Sequence, residues 1–194
     1  MLIERVSKLS RTALSKADFS VLVDEEAKGP FDGPKLVNFV TVRRYQKQYS
    51  FSSTLFRERS SDRRLIAVAR VNNAIAGFIA ASTAWNNCAQ IDDLAVARDH
   101  RRAGIGRLLM DEAGSWAKQR GLFTLRLETQ ANNVPACRFY EGYGFELGGY
   151  DRHLYDELPT PEKGETALFW YKRMHISRED RAQNILNNRS PVNK

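Results

Sequence analysis

A short turn rich in arginine and glycine carries the most recognisable chemistry in this sequence. Residues 101–106 read RRAGIG and follow an apolar, strand-like segment at residues 94–96. Apolar side chains recur at helical spacing from Ile105 through Leu108 and Leu109 to Trp116, which predicts an amphipathic helix directly after the turn. Helix N-termini present unpaired N–H groups and a partial positive charge, and glycine lets a phosphate approach the backbone. We therefore interpret the turn as a cradle for a diphosphate.

The glycine spacing alone leaves other interpretations open. An ordinary turn between a strand and a helix could carry the same glycines. Dinucleotide-binding turns need G-x-G-x-x-G, and position 109 is Leu, so that class is excluded at its third glycine.

Length, charge and cysteine content set broad limits. The 194 residues fit one domain at 1–174, with a variable N-terminal part at 1–62 and a polar tail at 175–194. The net charge of +7 indicates an anionic partner, either nucleic acid or a phosphate-bearing small molecule. No apolar run reaches the roughly 20 residues that span a bilayer, and no signal peptide is evident. Two cysteines, Cys88 and Cys137, favour a reducing cytoplasm and simple packing.

Hydrophobic patterning predicts a sheet with two helices in its second half. The helices are expected at 104–120 and from a cap at Asn133 to the glycines at 142 and 144. A loop is predicted at 24–33, another is predicted at 152–164, and 46–62 has no clear pattern. The predicted strands are 2–6, 19–23, 37–45, 65–71, 74–82, 90–97, 123–130, 145–151 and 166–173.

Several motifs in this order resemble a known family. The R-x-x-G-x-G turn after L-x-V resembles the acyl-CoA-binding motif of the GNAT N-acetyltransferases. Residues 85–86, 91–93, 127–130, 132–140, 144–151 and 165–171 resemble those of the streptothricin acetyltransferases, which are GNAT enzymes. The resemblance covers roughly residues 82–172. With the strand and helix pattern, it implies a mixed α/β fold, namely a mostly antiparallel sheet with one splayed parallel strand pair and flanking helices.

The resemblance implies acetyl-CoA as co-substrate and a set of residues that hold it. Tyr140 is expected to donate a proton to the leaving CoA sulfur, although its helical spacing with Phe139 and Tyr143 also fits core packing. Asn133 is expected to bond to CoA, to cap its helix, or both. Backbone amides of the strand are expected to support the reacting carbonyl. The expected CoA-binding residues are Leu94, Ala95, Val96, Arg101, Arg102, Ala103, Gly104, Ile105, Gly106, Arg107, Asn133 and Tyr140.

Carboxylates could accept the proton that an attacking amine must lose. Asp92 and Asp93 occupy neighbouring strand positions, so they should face opposite sides unless a β-bulge intervenes. A strand interior disfavours Asp, and two in a row favour a functional pair over surface residues. Glu128 and Asp151 are predicted to bind the acceptor, and the resemblance adds Trp85.

The resulting hypothesis is an N-acetyltransferase that binds acetyl-CoA and a cationic small-molecule amine together. The resemblance implies the β-lysyl amine of streptothricin as acceptor, and hence antibiotic resistance. The alternatives are another amine (a protein lysine, a polyamine or an aminoglycoside-like compound), a CoA-binding module without turnover, and a nucleic-acid-binding module. We expect neither a nucleic-acid nor a membrane partner. The three histidines lack metal-ligand spacing, so no metal is expected, and a homodimer remains open.

Overall fold

A seven-stranded sheet forms the centre of the fold. The computed structural model describes residues 1–57, 62–158 and 164–175. Within those ranges the helices are α1 (Arg11–Leu14), α2 (Ile105–Gln119) and α3 (Val134–Tyr143), and short 3₁₀ helices lie at Ser53–Phe56 and Arg98–His100. The strands are β1 (Leu2–Arg5), β2 (Val21–Ala27), β3 (Phe39–Lys47), β4 (Arg64–Val71), β5 (Ala74–Thr83), β6 (Ala89–Val96), β7 (Thr124–Gln130), β8 (Glu146–Asp151) and β9 (Ala167–Arg173).

The strand order confirms the predicted fold class. The large sheet runs β1-β4-β5-β6-β7-β9-β8, and β2 pairs with β3 in a separate two-stranded sheet. Every pairing is antiparallel except that of β6 with β7, which is parallel. A parallel pair needs a crossover connection, and α2 lies within the segment that joins these two strands.

Helix α2 covers the sheet and packs against β4, β5 and β6. Its buried face differs in part from the prediction, because Leu108 is 40% exposed. The buried side chains of the helix include Ile105, Leu109, Ala113 and Trp116 together with Met110 and Ala117. The apolar stripe is thus rotated away from Leu108.

Helix α3 has both of its predicted caps. The Asn133 side chain accepts a hydrogen bond from the Ala136 amide at 3.4 Å, and Gly144 ends the helix with a left-handed φ of 95°. Gly142 was also expected to stop the helix, but it lies inside the last turn. Of these two glycines, only Gly144 has the left-handed backbone conformation that glycine adopts without strain.

The N-terminal third differs most from the prediction. The segment 24–33 was predicted as a loop, yet its first four residues complete β2. The prediction failed because β2 belongs to a half-exposed hairpin, where Val23 and Ala27 face inward and the charged residues lie on the outer positions. The unassigned segment 46–62 contains the 3₁₀ helix Ser53–Phe56, whose Leu55 is buried.

Two further predictions concern the polar tail with the preceding loop, and helices that could span a membrane. Most of the predicted polar tail, residues 176–194, and part of the predicted loop, residues 159–163, lie outside the described residues. In the described ranges, no helix combines the length and the apolar character needed to cross a bilayer.

We predict that Gly77→Ala destabilises the protein by about 1–3 kcal/mol, because the sheet and α2 approach too closely for a methyl group. A Cβ at Gly77 would lie 2.9 Å from the Ala95 carbonyl oxygen and 3.1 Å from Ile105 Cγ2. Thermal unfolding should show a midpoint lowered by roughly 3–10 °C.

Gly142→Ala is the matched control for this change. A Cβ at Gly142 meets nothing within 4 Å, and the residue lies in a helix. Alanine there should leave stability unchanged or raise it by up to about 1 kcal/mol. A stable Gly77→Ala variant would contradict the close packing of β5 against α2.

Candidate active site

The two central strands separate soon after they begin to pair. Parallel β6 and β7 are paired only at Ala89 with Leu125 and at Gln90 with Arg126. Beyond that point β6 continues to pair with β5 through Val96, and β7 continues to pair with β9 through Gln130. A cleft therefore opens between residues 91–96 and 127–130, with one backbone edge of each strand facing it.

A β-bulge lies on the β6 side of this cleft. Ala80 pairs with Asp93 and the next residue, Ala81, pairs with Ile91, which leaves Asp92 as the extra residue. The bulge removes the strict alternation that would have placed the two aspartates on opposite faces. Both carboxylates interact electrostatically with each other and with Arg64, so the structure brings the predicted pair together.

Asp93 has the more perturbed carboxylate of the two. One of its oxygens accepts a hydrogen bond from the Ser52 amide at 3.2 Å, and the other oxygen is buried without a partner among the described residues. Burial raises the pKa of Asp93 to about 6, against the opposing effect of the Ser52 bond. Desolvation by the surrounding protein also raises the pKa of Asp92. Asp92 nevertheless keeps more solvent exposure than Asp93, and it accepts a hydrogen bond from the Ser82 hydroxyl at 3.1 Å.

The glycine-rich turn follows β6 at the open end of the cleft. Arg102 and Gly104 have left-handed φ angles of 65° and 80°, so the chain reverses sharply before α2. Residues 102–104 are exposed, and a Cβ at Gly104 would meet no atom within 4 Å. The α2 N-terminus thus presents its unpaired amides at an open surface. Gly106 differs, because the missing Cβ would meet the Phe139 ring at 3.4 Å, so its small size also serves the packing of α2 on α3.

The side chain of Arg101 points into the protein rather than toward this surface. Its guanidinium donates to the Val96 carbonyl at 3.0 Å and to the carbonyls of Phe19 and Ser20 at 3.1 and 2.7 Å. Of the three predicted arginines of the turn, Arg102 and Arg107 are the exposed ones, and Arg107 lies over the Tyr143 ring at 5.2 Å.

Tyr140 lies on α3, near Cys137 and Glu128. Its side chain is buried, and burial raises the pKa of the phenol above its usual range, with smaller contributions from those two neighbours. The phenol is therefore protonated at neutral pH. Within the described part of the chain its hydroxyl has no hydrogen-bond partner, so it can donate to a bound molecule. Cys137 is buried, as expected for a packing residue.

Two predicted acceptor-binding residues stand apart from the cleft. Trp85 is 90% exposed in the turn between β5 and β6, at the end where β6 and β7 are still paired. Asp151 ends β8 and accepts a hydrogen bond from the His153 amide at 2.7 Å, which gives it a local role in a turn. Among the described residues, no hydrogen bond, ion pair or ring contact joins either of them to Asp93 or Tyr140.

The GNAT acetyltransferase family model matches residues 34–145, which is more than half of the chain. The chain belongs to the GNAT acetyltransferase family. The matched segment includes β6, the glycine turn, α2, β7 and α3, which together form the cleft.

Individual relatives of this GNAT chain include streptothricin acetyltransferases. It is 41% identical to the Escherichia coli enzyme over 101 residues (52% of this chain, 58% of the relative). It is 44% identical to streptothricin acetyltransferase A of Bacillus subtilis over 100 residues (52% and 56%). The match therefore spans a little over half the length of these curated relatives.

A solved structure extends the similarity to most of the fold. A candidate streptothricin acetyltransferase from Bacillus anthracis, crystallised with acetyl coenzyme A, has a TM-score of 0.73 and 31% identity. The alignment covers 90% of this chain and 97% of that protein.

Sequence reasoning missed a buried polar cluster at the β7 end of the cleft of this GNAT protein. Lys47 forms an ion pair with Glu165 and has a side chain only 2% exposed. Asn132 donates to Glu165 at 2.7 Å and to the Tyr45 hydroxyl at 3.1 Å. Lys47 and Tyr45 lie in the first third, where no motif was recognised, so no local signal pointed to them.

Glu128 adjoins this cluster, in agreement with its predicted place in the site. Its carboxylate accepts a hydrogen bond from the Tyr155 hydroxyl. Burial, and then the charge of Glu165, raise the pKa of Glu128. Carboxylates therefore line both arms of the cleft, with Asp92 and Asp93 on β6 and Glu128 on β7.

We predict that Asp93→Asn stabilises the protein above pH 6 by about 1–3 kcal/mol, because it removes a half-buried charge. The folded pKa of about 6 exceeds the ordinary value of 3.8, so the unfolded chain loses this proton first as pH rises. Wild-type stability should fall between pH 4 and 6, and the variant's advantage should vanish below about pH 4. Chemical denaturation at pH 4, 6 and 8 measures the difference.

Asp92→Asn provides the comparison, since its side chain is exposed and its carboxylate is hydrogen-bonded to Ser82. Its gain above pH 6 should be smaller. Equal gains for the two variants, or a gain for Asp93→Asn that does not depend on pH, would contradict the assigned environment.

Proposed function

We propose that this protein is an acetyl-CoA-dependent N-acetyltransferase that acetylates an amine of streptothricin. The observation that carries the proposal is the parting of β6 from β7 after two residue pairs, with an exposed glycine turn beyond the open end of the same strand. The streptothricin acetyltransferases among the relatives, and the relative solved with acetyl coenzyme A, support this choice of substrates.

The glycine turn fits the diphosphate of acetyl-CoA. The exposed residues 102–104 lie at the N-terminus of a fifteen-residue helix, where the helix dipole favours an anion. Open space at the missing Cβ of Gly104 admits a phosphate oxygen. Arg102 and Arg107 add positive charge at the exposed surface. When bound, acetyl-CoA supplies an acetyl group activated as a thioester.

The open edge of β6 provides donors for the reacting carbonyl. Leu94, Ala95 and Val96 pair with β5 on one side and have no strand partner among the described residues on the other. Amides on that free side can donate to an oxygen on which negative charge develops. The main chain is rigid there because β5 holds it, so the donors need no rearrangement.

Asp93 is the base that we assign to the acceptor amine. A lysine-like amine has a pKa of about 10.4, so removing its proton at pH 7 costs about 4–5 kcal/mol. A carboxylate with a pKa of about 6 is ionised at pH 7 and is a stronger base than an ordinary aspartate. The proton passes from the amine to Asp93, directly or through one water molecule.

Tyr140 supplies a proton to the leaving sulfur. Its phenol stays protonated at neutral pH because it is buried near Cys137 and Glu128. A CoA-like thiol has a pKa of about 8.5, so a nearby donor lowers the barrier to its departure. The acid on α3 and the base on β6 thus lie on different elements that flank one cleft.

The charges of the cleft favour an acceptor with several positive groups. Asp92 and Asp93 line one arm, and Glu128 lies on the other arm with Glu165 near it. Carboxylates on both sides attract a polycation although the whole chain carries a charge of +7. Two cations also lie near these carboxylates, because Lys47 pairs with Glu165 and Arg64 interacts electrostatically with both aspartates. The four carboxylates outnumber these two cations, and the exposed Arg102 and Arg107 lie at the turn.

Mass spectrometry of streptothricin after incubation with enzyme and acetyl-CoA tests the proposal. The expected product carries one added acetyl group on its β-lysyl amine. A panel with a polyamine, a lysine peptide and an aminoglycoside serves as comparison. Preferred acetylation of one of those amines would contradict the proposed acceptor, and CoA binding without thiol release would contradict catalysis.

We predict that Tyr140→Phe lowers kcat by about 100-fold, since it removes only the donor hydroxyl. The affinity for acetyl-CoA should change little, because the turn that holds the diphosphate is untouched. Thiol release measures kcat, and calorimetry measures binding.

Tyr143→Phe is the control on the same helix. The Tyr143 hydroxyl donates to Asp111 at 2.6 Å and not into the cleft, so kcat should stay close to that of the wild type. Unchanged turnover in Tyr140→Phe would exclude Tyr140 as the acid.

A further inference from the structure

We infer that Arg101 is a positioning residue that couples the glycine turn to the acceptor side of the cleft. The coupling runs through two segments, residues 18–20 and 45–49, which we call the strap. This inference rests on the proposed function and adds a role for the first third of the chain, where sequence analysis found no motif.

Arg101 joins three stretches of backbone at one point. Its Nε atom donates to Val96 at the end of β6, and one terminal nitrogen donates to both Phe19 and Ser20. A planar guanidinium can serve several carbonyls at fixed angles, whereas an ammonium cannot reproduce that geometry. The strap is therefore fastened to the C-terminal end of β6 by a residue of the turn itself.

Two segments of the strap are joined to each other. Val21 pairs with Lys47 at the open end of the β2–β3 hairpin, directly after Ser20. The Gln46 side-chain amide also donates to the Ser20 hydroxyl at 2.5 Å. A displacement of residues 18–20 would therefore be passed to residues 45–49.

The second segment is fastened to the C-terminal end of β7. Tyr49 donates to Asn132 at 3.0 Å, and Asn132 donates to Tyr45 at 3.1 Å. Lys47 pairs with Glu165 while its ammonium lies 4.7 Å from the centre of the Tyr49 ring. These bonds are partly buried, and the one between Lys47 and Glu165 is charge-assisted, so this end is held at several points.

The strap therefore bridges the two strands that part to form the cleft. One end is fixed to β6 by Arg101 and the other to the start of α3 and to Glu165. It continues into the segment whose Ser52 amide contacts Asp93, and Tyr49 interacts electrostatically with Glu128. Its position consequently affects the surroundings of the base and of the acceptor carboxylate.

A ligand on the turn amides would restrict the turn and, through Arg101, the strap. Coupling of this kind is reciprocal, so an acceptor that favours one strap position would also favour CoA binding. The alternative role for Arg101 is a direct charge contact with a phosphate. The two roles predict different kinetic effects.

Arg101→Lys separates them because it keeps the charge and loses the three-way geometry. The expected result is an acceptor KM raised about tenfold, with the Kd for CoA, measured alone by calorimetry, within about threefold of wild type. Arg120→Lys is the matched control, because its guanidinium also donates to two backbone carbonyls, those of Asp62 and Trp116, at the C-terminal end of α2. Its acceptor KM should not change. A raised Kd for CoA with an unchanged acceptor KM, or identical behaviour of the two variants, would overturn the inference.

A second variant tests the strap away from the turn. Gln46→Ala removes the bond to Ser20 without touching the CoA site, and it should raise the acceptor KM about threefold at constant Kd for CoA. If Arg101→Lys does not fold, the measurement on Gln46→Ala decides the question. An unchanged acceptor KM in Gln46→Ala would overturn the proposed coupling.

Hydrogen exchange gives a readout that does not depend on catalysis. CoA alone should slow exchange of the amides of residues 45–49 in the wild type but not in Arg101→Lys. Slowed exchange without any thiol release would mean that the proposed reaction is wrong and the coupling correct. Thiol release without slowed exchange would mean the reverse.

Discussion

The unpaired edge between β6 and β7 is the constraint on which the rest of the structure depends. Strand backbones normally satisfy their donors and acceptors on both sides, and this sheet gives up that pairing after Gln90 and Arg126. Both strands remain rigid because β5 and β9 hold their outer sides. A rigid open edge is a place where a ligand can complete the hydrogen bonds that the sheet lacks. The family's turn and helix follow directly from the end of the same strand.

The bulge at Asp92 places two carboxylates close together beside this edge. Strict alternation would have sent one of the two aspartates to the opposite face of the sheet, and the one extra residue removes that alternation. Burial raises the pKa of Asp93 to about 6, and the hydrogen bond from the Ser52 amide opposes that rise. The burial of this carboxylate destabilises the folded state at neutral pH, because its pKa is higher in the folded than in the unfolded chain.

The second half of the chain was predictable because its signals are local. The helical spacing of Ile105, Leu109 and Trp116, the Asn133 cap and the left-handed Gly144 each involve residues within a few positions of one another. Their order, together with the resemblance to the GNAT family, predicted the sheet with one splayed parallel pair. The exposure of Leu108 was missed, since a hydrophobic stripe does not fix the rotation of a helix to within one residue. The motif also could not predict the direction of the Arg101 side chain, because two of its three carbonyl partners are 81 and 82 positions away.

The first third of the chain could not be predicted from local signals, because its contacts join residues that are even farther apart in the sequence. Lys47 finds its carboxylate 118 positions away, and Tyr49 finds Asn132 at a separation of 83. Contacts between residues so far apart in the sequence produce no periodic pattern of side chains. A buried lysine is costly unless it is paired, so Lys47 in β3 would have suggested an exposed position to any local rule. Segments that contact a cleft but lie outside its sequence motif are therefore expected to be the hardest part of such a chain to predict. Here they contribute the contacts that fix Asp93, Asn132 and Glu165 relative to one another.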